Sequence, residues 1–571
     1  MALVQAVAIG LIALLITPGF FFYFDITPKL ILVLLLCAAS GAGSRPALRS
    51  AFSVVVLASL LSLALSTVLS PTPAISAFGT NWRRFGAVPQ AAILLSAWYL
   101  SAHAHHVIPM LRIIAIAGAL TAVYGIAQFF GVDPILPAAA YHIGEGIWTI
   151  VRPPSTLGYV SYFATWLLFV IFLSLAIPGR IWKLVAALAA AAMLFTGTRA
   201  AMLGFAAGLA VWLFWRGWRV SWRVIAAAVA VLAAGAIFYY STPGWQLRSR
   251  TRWFVEDPWG GPRPLLWRDS LRMAAHRLPA GFGPETFTAE FPHYQSAELA
   301  RAYPDFAHES PHNIFLDALV AQGLPGLLVL VALCAVGFRA AWRVRDHHPT
   351  VAPALAGALA AGLIAQQFTA FTIPTAVIFF TTIALAAGLD APPPERIHPF
   401  ALAPIALLWV YFALRFGLAD RALQLTKNSL AAGDTRAAAE HYQSARMPGA
   451  SSDLWYSRAL TRAGDLPNAI AAGVRATETA EDPFNAWYSL SALYAAQNDV
   501  PRAEASLRNA IKANPTWFKP HWTLARLLAL TGRAAEARTE AAAAVDLDAG
   551  KHGEVAQSLE GIIGRGGLFQ K

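Results

Sequence analysis

The chain has 571 residues, of which 57% are hydrophobic and 13% are charged, and its mean hydropathy is +0.53. These values exclude an ordinary soluble globular protein and predict a polytopic membrane protein. The formal net charge of +12 is carried largely by the connections between apolar runs, and no nucleic-acid partner is predicted. Cys37 and Cys334 both lie inside apolar runs, so no disulfide framework is expected.

Apolar runs long enough to cross a ~30 Å hydrocarbon layer as helices recur up to residue 419. They predict about thirteen transmembrane helices, at 2–23, 27–43, 51–69, 86–102, 107–130, 158–177, 182–198, 200–216, 222–240, 313–337, 351–372, 374–390 and 399–419. The first run lacks a basic segment and a small-residue cleavage site before Asp25, so we expect it to stay as a helix. The closely spaced pairs within 182–216 and 351–390 leave the count open by one.

Lysine and arginine in the short connections predict the orientation of these helices. When thirteen spans alternate, one side holds Arg45, Arg49, Arg112, Arg180, Lys183, Arg216, Arg219, Arg223, Arg339, Arg343 and Arg345. We expect that side, with the N-terminus, to be cytoplasmic. The connections 70–85, 131–157 and 241–312 and everything after 419 then face the periplasm of a Gram-negative bacterium, across its inner membrane.

Residues 1–69 are predicted to form three plain helices with little chemistry. The cluster Trp82-Arg83-Arg84 then lies on the outer side. Aromatic and basic residues together are common interfacial anchors, so a substrate role for Arg83 and Arg84 is the less favoured interpretation.

Two later connections place arginine at a helix start. Arg152 precedes Pro153, Pro154 and Gly158, a rigid segment at the head of a helix whose N-terminal amides favour anions. Arg199 stands at the apex of the Thr196–Arg199 turn, with almost no loop to solvate it. We expect it to extend along the membrane surface toward a partner.

Seven arginines between residues 248 and 277 fall on the outer side, against the topological rule. They are Arg248, Arg250, Arg252, Arg263, Arg268, Arg272 and Arg277, against Glu256, Asp257 and Asp269. An anionic ligand would explain the excess, because guanidinium groups hold phosphate oxygens by paired, charge-assisted hydrogen bonds. Each arginine alone fits contact with a lipid phosphate equally well, but a set that converges on one face favours a substrate.

The polar stretch His308-Glu309-Ser310-Pro311-His312-Asn313 runs directly into an apolar helix. A charged junction of this kind at a membrane surface is costly, which indicates an active site. The i, i+4 histidines suggest zinc, but Pro311 interrupts a helix through both and no suitably spaced third ligand follows, so no metal site is predicted. Alternatively His312 caps the helix beside Asn313, and His308 fits polar surface better than a second acid or base.

Past Pro394 and the last span, the composition changes to alanine-rich amphipathic helices. Four turns recur at intervals of 31, 34 and 34 residues: Ala432-Gly433-Asp434, Ala463-Gly464-Asp465, Gln497-Asn498-Asp499 and Thr531-Gly532-Arg533. This period resembles the tetratricopeptide repeat, whose stacked helical hairpins generally bind partners. We therefore expect a transmembrane domain over 1–419 and a periplasmic repeat domain over 420–571. Its tryptophans fit packing better than a ligand site: Trp455, Trp487, Trp517 and Trp522.

The order of these motifs resembles the superfamily of O-antigen ligases and O-antigen polymerases, which includes protein O-oligosaccharyltransferases. The resemblance covers about residues 70–390. It rests on Arg152 to Gly158, the Thr196–Arg199 turn, Arg263-x-x-x-Trp267, Pro279 to Gly283 with Phe287, and His312-Asn313 with nine residues to Gly323-x-x-Gly326.

The resemblance implies an all-α membrane bundle of the GT-C type and a metal-independent glycosyltransferase without a cofactor. Such enzymes take a glycan from an undecaprenyl-diphosphate carrier and pass it to an acceptor hydroxyl. Arg152 and Arg263 would then bind the diphosphate, with Arg199 a weaker candidate, and His312 would orient or deprotonate the acceptor. The accessory candidates are His308, Asn313, Arg83, Arg84 and Arg268.

Several functions stay open at this point. The acceptor is lipid A core for a ligase, a glycan repeat for a polymerase, or a protein for an oligosaccharyltransferase. A transporter of lipid-linked glycans or a repeat-bearing scaffold is the unlike alternative, but a carrier would place charges mid-span and these arginines gather at one surface. The repeat domain, as a site for a protein partner or a large acceptor, favours the ligase slightly.

Overall fold

A computed structural model of the chain describes residues 1–40, 44–145, 148–217, 233–242, 244–251, 260–396 and 403–563. Helices dominate these ranges, as the sequence predicts. Strands there form two short antiparallel pairs, Ser44–Arg45 with Glu395–Arg396 and His142–Glu145 with Trp148–Val151. Several residues of the predicted orientation and arginine patterns lie outside the described ranges, namely Arg219, Arg223, Arg252, Glu256 and Asp257.

Most predicted apolar runs contain a helix. The helices are Ala2–Leu14, Thr27–Ser40, Ala51–Val68, Ala87–Ser101, Val107–Phe129, Val160–Leu175, Arg180–Phe195, Arg199–Arg216, Ile314–Arg343, Val351–Ala365, Ile373–Asp390 and Ala403–Ala431. The run at 222–240 is helical over 233–240, and its first part lies outside the described residues.

Five of the described helices are long and apolar enough to cross a membrane, so the chain is a multi-pass membrane protein. They are Ala51–Val68, Ala104–Phe129 with its leading 3₁₀ turn, Ile314–Arg343, Ile373–Asp390 and Ala403–Ala431. Five further apolar helices are shorter, with 10 to 17 residues, against the ~20 that a straight span needs. The count of thirteen spans therefore stays a prediction.

The first apolar run is interrupted, contrary to the single helix predicted over 2–23. The helix ends at Leu14, and residues 15–26 form turns. Pro18 removes a backbone donor and restricts Thr17, so the helix cannot continue through them. Gly19, with φ of 77°, then reverses the chain direction.

The helix Val160–Leu175 lies at the core of the bundle and is almost entirely buried. Arg199–Arg216 and Val351–Ala365 pack closely because glycines face each other at their contact. A Cβ atom on Gly204 would lie 2.6 Å from the Ala361 carbonyl oxygen. Small residues of this kind let helix backbones approach in membranes, where burial alone supplies little attraction between helices.

The helix Ile314–Arg343, which we call the kinked helix, breaks at Gly323. Gly323 has φ of 66° and ψ of −161°, and Pro325 follows within the helix. The amide of Leu324 donates instead to the Leu278 carbonyl oxygen at 2.7 Å. A Cβ atom on Gly323 would lie 2.2 Å from that oxygen, so the position requires glycine.

The described part of the 241–312 loop, which we call the outer loop after its predicted orientation, supplies hydrogen bonds to backbone groups that the kink leaves open. The amides of Phe282 and Gly283 donate to the carbonyl oxygens of Val320 and Ala321 at 2.9 and 2.8 Å. Unpaired backbone groups at membrane depth are costly, so these bonds fix the loop on the helix. The Pro279 to Gly283 segment thus packs against the break at Gly323 and is hydrogen-bonded to it. We call this contact the joint.

The outer loop has its own small core beside this joint. Its main element is the helix Arg263–Ala275, which we call the loop helix. The shorter helices Phe287–Glu290 and Ala297–Ala302 follow it, and their aromatic and aliphatic side chains cover its buried face. The loop is therefore a folded unit that can hold side chains in fixed positions.

After the last apolar helix the chain forms consecutive helical hairpins at the predicted turns. The helices are Thr435–Ser444, Asp453–Arg462, Leu466–Thr479, Pro483–Ala496, Val500–Ala513, Phe518–Leu530, Ala534–Asp548 and Gly553–Ile563. Asp434, Asp465 and Asp499 each cap the helix after a turn, accepting from a backbone amide three residues on. The assignment as tetratricopeptide repeats stays a prediction, and the predicted boundary at residue 419 falls inside the helix Ala403–Ala431.

The C-terminal hairpins pack on the outer loop. Asp305 of the loop pairs with Lys519 at 3.1 Å and with His552 at 2.9 Å. Arg301 pairs with Asp546 at 2.7 Å. These exposed ion pairs contribute little stability each, but they define which hairpin faces the loop.

Candidate active site

Two cavities meet at His312. The larger, with a volume of about 560 Å³, we call the central cavity, and the smaller, of about 270 Å³, we call the arginine cavity. Both are lined by Tyr159, Tyr162, Gly260, Arg263 and His312. A group bound in one cavity can therefore touch a group bound in the other.

The arginine cavity collects the three arginines that the sequence singles out as diphosphate ligands. Arg152, Arg199 and Arg263 line it together, although 111 residues separate the first from the last in sequence. Three guanidinium groups that line one cavity can together bind the oxygens of an anion such as a phosphate or a diphosphate.

Arg199 lies at a helix start, as predicted, whereas Arg152 directly follows the strand Trp148–Val151. Arg152 is half-buried before the helix Val160–Leu175, and its guanidinium stacks over the Tyr159 ring at 5.1 Å. Arg199 is the first residue of the helix Arg199–Arg216, directly after the buried Thr198. The amides of a helix N-terminus add partial positive charge to that of its arginine.

Arg263 and Trp267 explain the Arg-x-x-x-Trp spacing, because residues i and i+4 share one face of the loop helix. The Arg263 guanidinium donates to the carbonyl oxygens of Gly260 at 2.6 Å and Phe368 at 3.3 Å. The Trp267 indole donates to the Pro311 carbonyl oxygen at 3.0 Å. The same helix face thus positions an arginine in the cavity and supports the segment that carries His312.

His312 is held in an unusual backbone conformation with φ of 52°. Its amide donates to the Ser310 hydroxyl at 3.2 Å, and its Nδ1 lies 3.3 Å from the same oxygen. Left-handed conformations are uncommon outside glycine and persist where the surroundings fix them, often at functional sites. Ser310 therefore orients the imidazole toward the junction of the two cavities.

The environment of His312 disfavours a positive charge on its ring. Burial, with smaller contributions from the nearby charges of Arg263, His308 and Arg83, lowers the pKa of the His312 imidazole to about 4. The ring is therefore neutral at physiological pH and available as a proton acceptor. An anion beside Arg263 would offset part of this effect and raise the pKa again.

His308 is buried, which corrects the expectation of a polar surface residue. Its ring packs edge-on against Phe291 with centroids 5.8 Å apart. Burial lowers the pKa of His308 to about 4, although Asp269 acts in the opposite direction. His308 borders the central cavity beside Glu309, whose carboxyl group is exposed into that cavity. In the described part of the chain, no three histidines, cysteines or carboxylates cluster as metal ligands.

Asn313 is the residue that caps the kinked helix, and not its neighbour His312, for which the sequence left a capping role open. Its Oδ1 accepts from the amides of Phe315 and Leu316 at 3.0 and 3.2 Å, at the start of the kinked helix. Its Nδ2 donates to Gln367 at 3.0 Å. Asn313 therefore fixes the helix start beside His312 without lining either cavity.

Arg83 borders the central cavity, but two carboxylates already neutralise it. Its guanidinium contacts Glu285 at 2.5 Å and Asp317 at 3.2 Å, and it donates to the Phe371 carbonyl oxygen at 3.2 Å. Glu285 also accepts from the Thr80 amide at 3.2 Å. Arg83 thus joins the 80–86 loop to the outer loop and the kinked helix, and it is not an open anion ligand.

Arg84 and Arg268 do not line either cavity. Arg84 is fully buried and donates to Pro448 at 3.0 Å and to Asn81, which ties the C-terminal hairpins to the 80–86 loop. Arg268 lies on the outer surface and pairs with Glu298 at 2.6 Å and Asp269 at 3.1 Å. The sequence predicted that the arginines of the loop converge on one face. Of these loop arginines, Arg263 reaches the cavities and Arg268 does not.

Asp25 and Lys29 are site residues that the sequence analysis missed. Both line the central cavity, where residues 1–69 were expected to be plain helices. Lys29 is buried and its Nζ donates to the Thr156 carbonyl oxygen at 2.5 Å. A Cβ atom on Gly158 would lie 2.3 Å from an Asp25 carboxylate oxygen. The available signal was the pair of opposite charges between two apolar runs, a rare placement in membrane helices.

Known proteins are similar to the part of the chain that carries most of this site. Residues 184–331 match the family model described as O-antigen ligase. That range holds Arg199, Arg263 and His312, while Arg152 precedes it. A relative from Pseudomonas aeruginosa, named O-antigen ligase, is 30% identical over 173 residues, 30% of this chain and 38% of the relative. The chain thus spans well under half of the length of that relative.

Proposed function

We propose that the protein transfers a glycan from an undecaprenyl-diphosphate carrier to an acceptor hydroxyl at the outer face of the inner membrane, as an O-antigen ligase. One observation carries the proposal: three arginines of an anion site and a neutral histidine line the same cavity. The family match over 184–331 supports it. A glycosyl transfer needs these two functions, because it must neutralise a departing diphosphate and accept the proton of the incoming hydroxyl.

The donor diphosphate occupies the arginine cavity in this proposal. Arg152, Arg199 and Arg263 approach it from three separate elements, so its oxygens can be bound from several directions. Charge that develops on the leaving group is stabilised by groups already in place, which requires little reorganisation during the reaction. The lipid chain then extends along the bundle toward the bilayer.

The acceptor approaches through the central cavity. Its hydroxyl oxygen forms a bond to the anomeric carbon of the donor sugar, while the bond from that carbon to the diphosphate oxygen breaks. The electron pair of that bond leaves with the lipid diphosphate, and the hydroxyl proton moves to the His312 imidazole. Asp25, Lys29 and Glu309 provide polar groups of both signs that suit a hydroxylated acceptor.

Donor binding prepares the base. Without a ligand, burial and the charge of Arg263 hold the pKa of His312 at about 4, which makes it a weak proton acceptor. The diphosphate brings negative charge to Arg263, and the pKa of the imidazole rises toward its ordinary value. The base therefore becomes effective when the donor is in place, which reduces reaction with water in its absence.

Replacement of His312 tests the catalytic assignment in purified protein reconstituted in liposomes with lipid-linked donor. We expect His312→Ala to lower the transfer rate by about 10² to 10⁴, the usual contribution of a general base, while donor binding is retained. His276→Ala is the matched control, because His276 is an exposed histidine of the outer loop. Transfer by His312→Ala at the rate of the control would contradict the assignment.

A further inference from the structure

A third cavity joins the central cavity to the C-terminal hairpins. We call it the hairpin groove; its volume is about 440 Å³. It lies between the turn at residues 22–26, the start of the 80–86 loop, the helix Asp453–Arg462 with the two residues before it, and residues 480–482. Ile26 and Trp82 line both the groove and the central cavity. A chain-like ligand that enters the central cavity can therefore continue into the groove.

The hairpin groove has a different charge pattern from the arginine cavity. Its lining carries Arg458 and Arg462 together with the carboxylates of Glu481 and Asp482. The positive and negative groups balance, so a diphosphate gains little there. Guanidinium and carboxylate groups that line one groove suit a neutral ligand with many hydroxyls, because each can form two parallel hydrogen bonds to neighbouring oxygens.

Aromatic rings form the other part of the groove. Tyr23, Trp82 and Trp455 line it, and Trp455 packs edge-on against Phe22 with centroids 4.7 Å apart. The face of an aromatic ring is electronegative and apolar, which suits the weakly positive C–H face of a pyranose ring. Trp455 therefore lines the groove and also packs against its neighbours, the role that its sequence context favours over a ligand site.

The contacts that form the groove also join the two parts of the chain. Asn81 donates through its side chain to the Ser451 carbonyl oxygen at 3.0 Å and through its amide to Glu481. Ala450 donates to the Gly79 carbonyl oxygen at 3.2 Å. The groove therefore exists because the hairpins pack beside the loop that leads to the central cavity.

We propose that the hairpin groove binds the saccharide portion of the acceptor, a few sugar units away from the hydroxyl that reacts. This inference rests on the proposed function, since it assigns the reacting end of the same acceptor to the central cavity. It gives the C-terminal hairpins a role in selecting acceptors by the length and identity of their glycan.

The test uses the full-length protein with Arg458→Ala and Arg462→Ala combined, both at exposed positions. The control is Arg436→Ala, an arginine of another hairpin helix with a side chain that is 91% exposed. The probes are the oligosaccharide released by mild acid from the envelope of the producing cells and an acceptor trimmed to its reacting sugar. Equilibrium dialysis measures oligosaccharide binding, and transfer kinetics compare the full-length and trimmed acceptors.

We expect the double substitution to weaken oligosaccharide binding and to raise KM for the full-length acceptor by about tenfold or more, the effect of losing hydrogen bonds to charged groups. The trimmed acceptor, the donor KM and the control variant should show no change. Equal oligosaccharide binding by the double variant and the control, or an equal effect on both acceptors, would overturn the inference. If the wild type binds the oligosaccharide in this manner but transfers nothing, the groove stands and the proposed reaction fails.

Discussion

Arg83 and Arg152 line the two cavities that meet at His312, but their guanidinium groups have different neighbours. Arg83 is saturated by Glu285 and Asp317, whereas Arg152 stacks on Tyr159 and lines the arginine cavity. A buried cation with two buried anions contributes to the fold, and removing one partner leaves uncompensated charge. The role of an arginine here depends on its neighbours more than on its own position at the membrane surface.

Arg152→Ala tests the donor site at the residue scale. We expect the donor KM to rise by roughly tenfold to a hundredfold, because a charge-assisted hydrogen bond to phosphate contributes about 1.5–3 kcal/mol. Arg268→Ala is the control on the outer surface and should leave the donor KM unchanged. Equal donor KM values for the two variants would remove Arg152 from the site. The measurement is transfer rate against donor concentration in liposomes.

The pH dependence tests whether the donor tunes His312. The acidic limb of kcat/KM for the donor reports the free protein, where the pKa of His312 is lowered to about 4, and that of kcat reports the complex. We expect the limb of kcat at higher pH than that of kcat/KM. A single limb near 6.5 in both profiles would contradict this order.

Because the folded pKa lies below 6.5, the contribution of His312 to stability is lost as pH falls from 6.5 toward 4.

Sequence reasoning singled out Arg152, Arg199, Arg263 and His312, which the fold brings together, from their places beside apolar runs, the excess of arginines in 248–277 and the family resemblance. It ranked Arg83 below them as an interfacial anchor, but it could not predict the ion pairs that Arg83 forms. The carboxylates that neutralise Arg83 lie 202 and 234 residues away along the chain. Such pairs are set by tertiary packing, which a single sequence does not reveal. Asp25 and Lys29 were missed for the same reason.

The kinked helix links the motifs at the scale of elements. Its first part begins at Asn313 beside the cavities, and its break at Gly323 accepts the Pro279 to Gly283 segment of the outer loop. These motif glycines line neither cavity at His312, and they shape the helix that begins beside it. The positions of most helices followed from apolar runs, whereas the break within this helix followed from hydrogen bonds between distant segments.

Gly323→Ala tests the joint. Alanine at φ of 66° is strained and its Cβ atom would collide with the Leu278 carbonyl oxygen. We expect a loss of about 2–4 kcal/mol in unfolding free energy from the strain and the overlap together. Gly433→Ala is the control, since Gly433 also has positive φ, 79°, but open space around it. Thermal unfolding in detergent should show a clearly larger decrease in Tm for Gly323→Ala, and equal decreases would contradict the joint.

At the scale of the whole molecule, the proposed function requires that the cavities open toward the side of the membrane where the lipid-linked donor is located. Glu309→Cys and Arg216→Cys test this, because they lie at a cavity wall and at the far end of a helix that starts beside it. The native cysteines are both buried. We expect a membrane-impermeant maleimide to label Glu309→Cys in intact spheroplasts and Arg216→Cys only after lysis. The reverse pattern would place the cavities in the cytoplasm.

Glycan transfer to an acceptor is the activity that distinguishes an enzyme from a transporter of lipid-linked glycans. The most direct measurement follows two products of purified protein in liposomes, the glycan joined to acceptor and the lipid diphosphate released. We predict that the wild type releases one lipid diphosphate for each glycan transferred, and that His312→Ala forms both products at least about a hundredfold more slowly. Movement of intact lipid-linked glycan across the bilayer without release of lipid diphosphate would contradict the account.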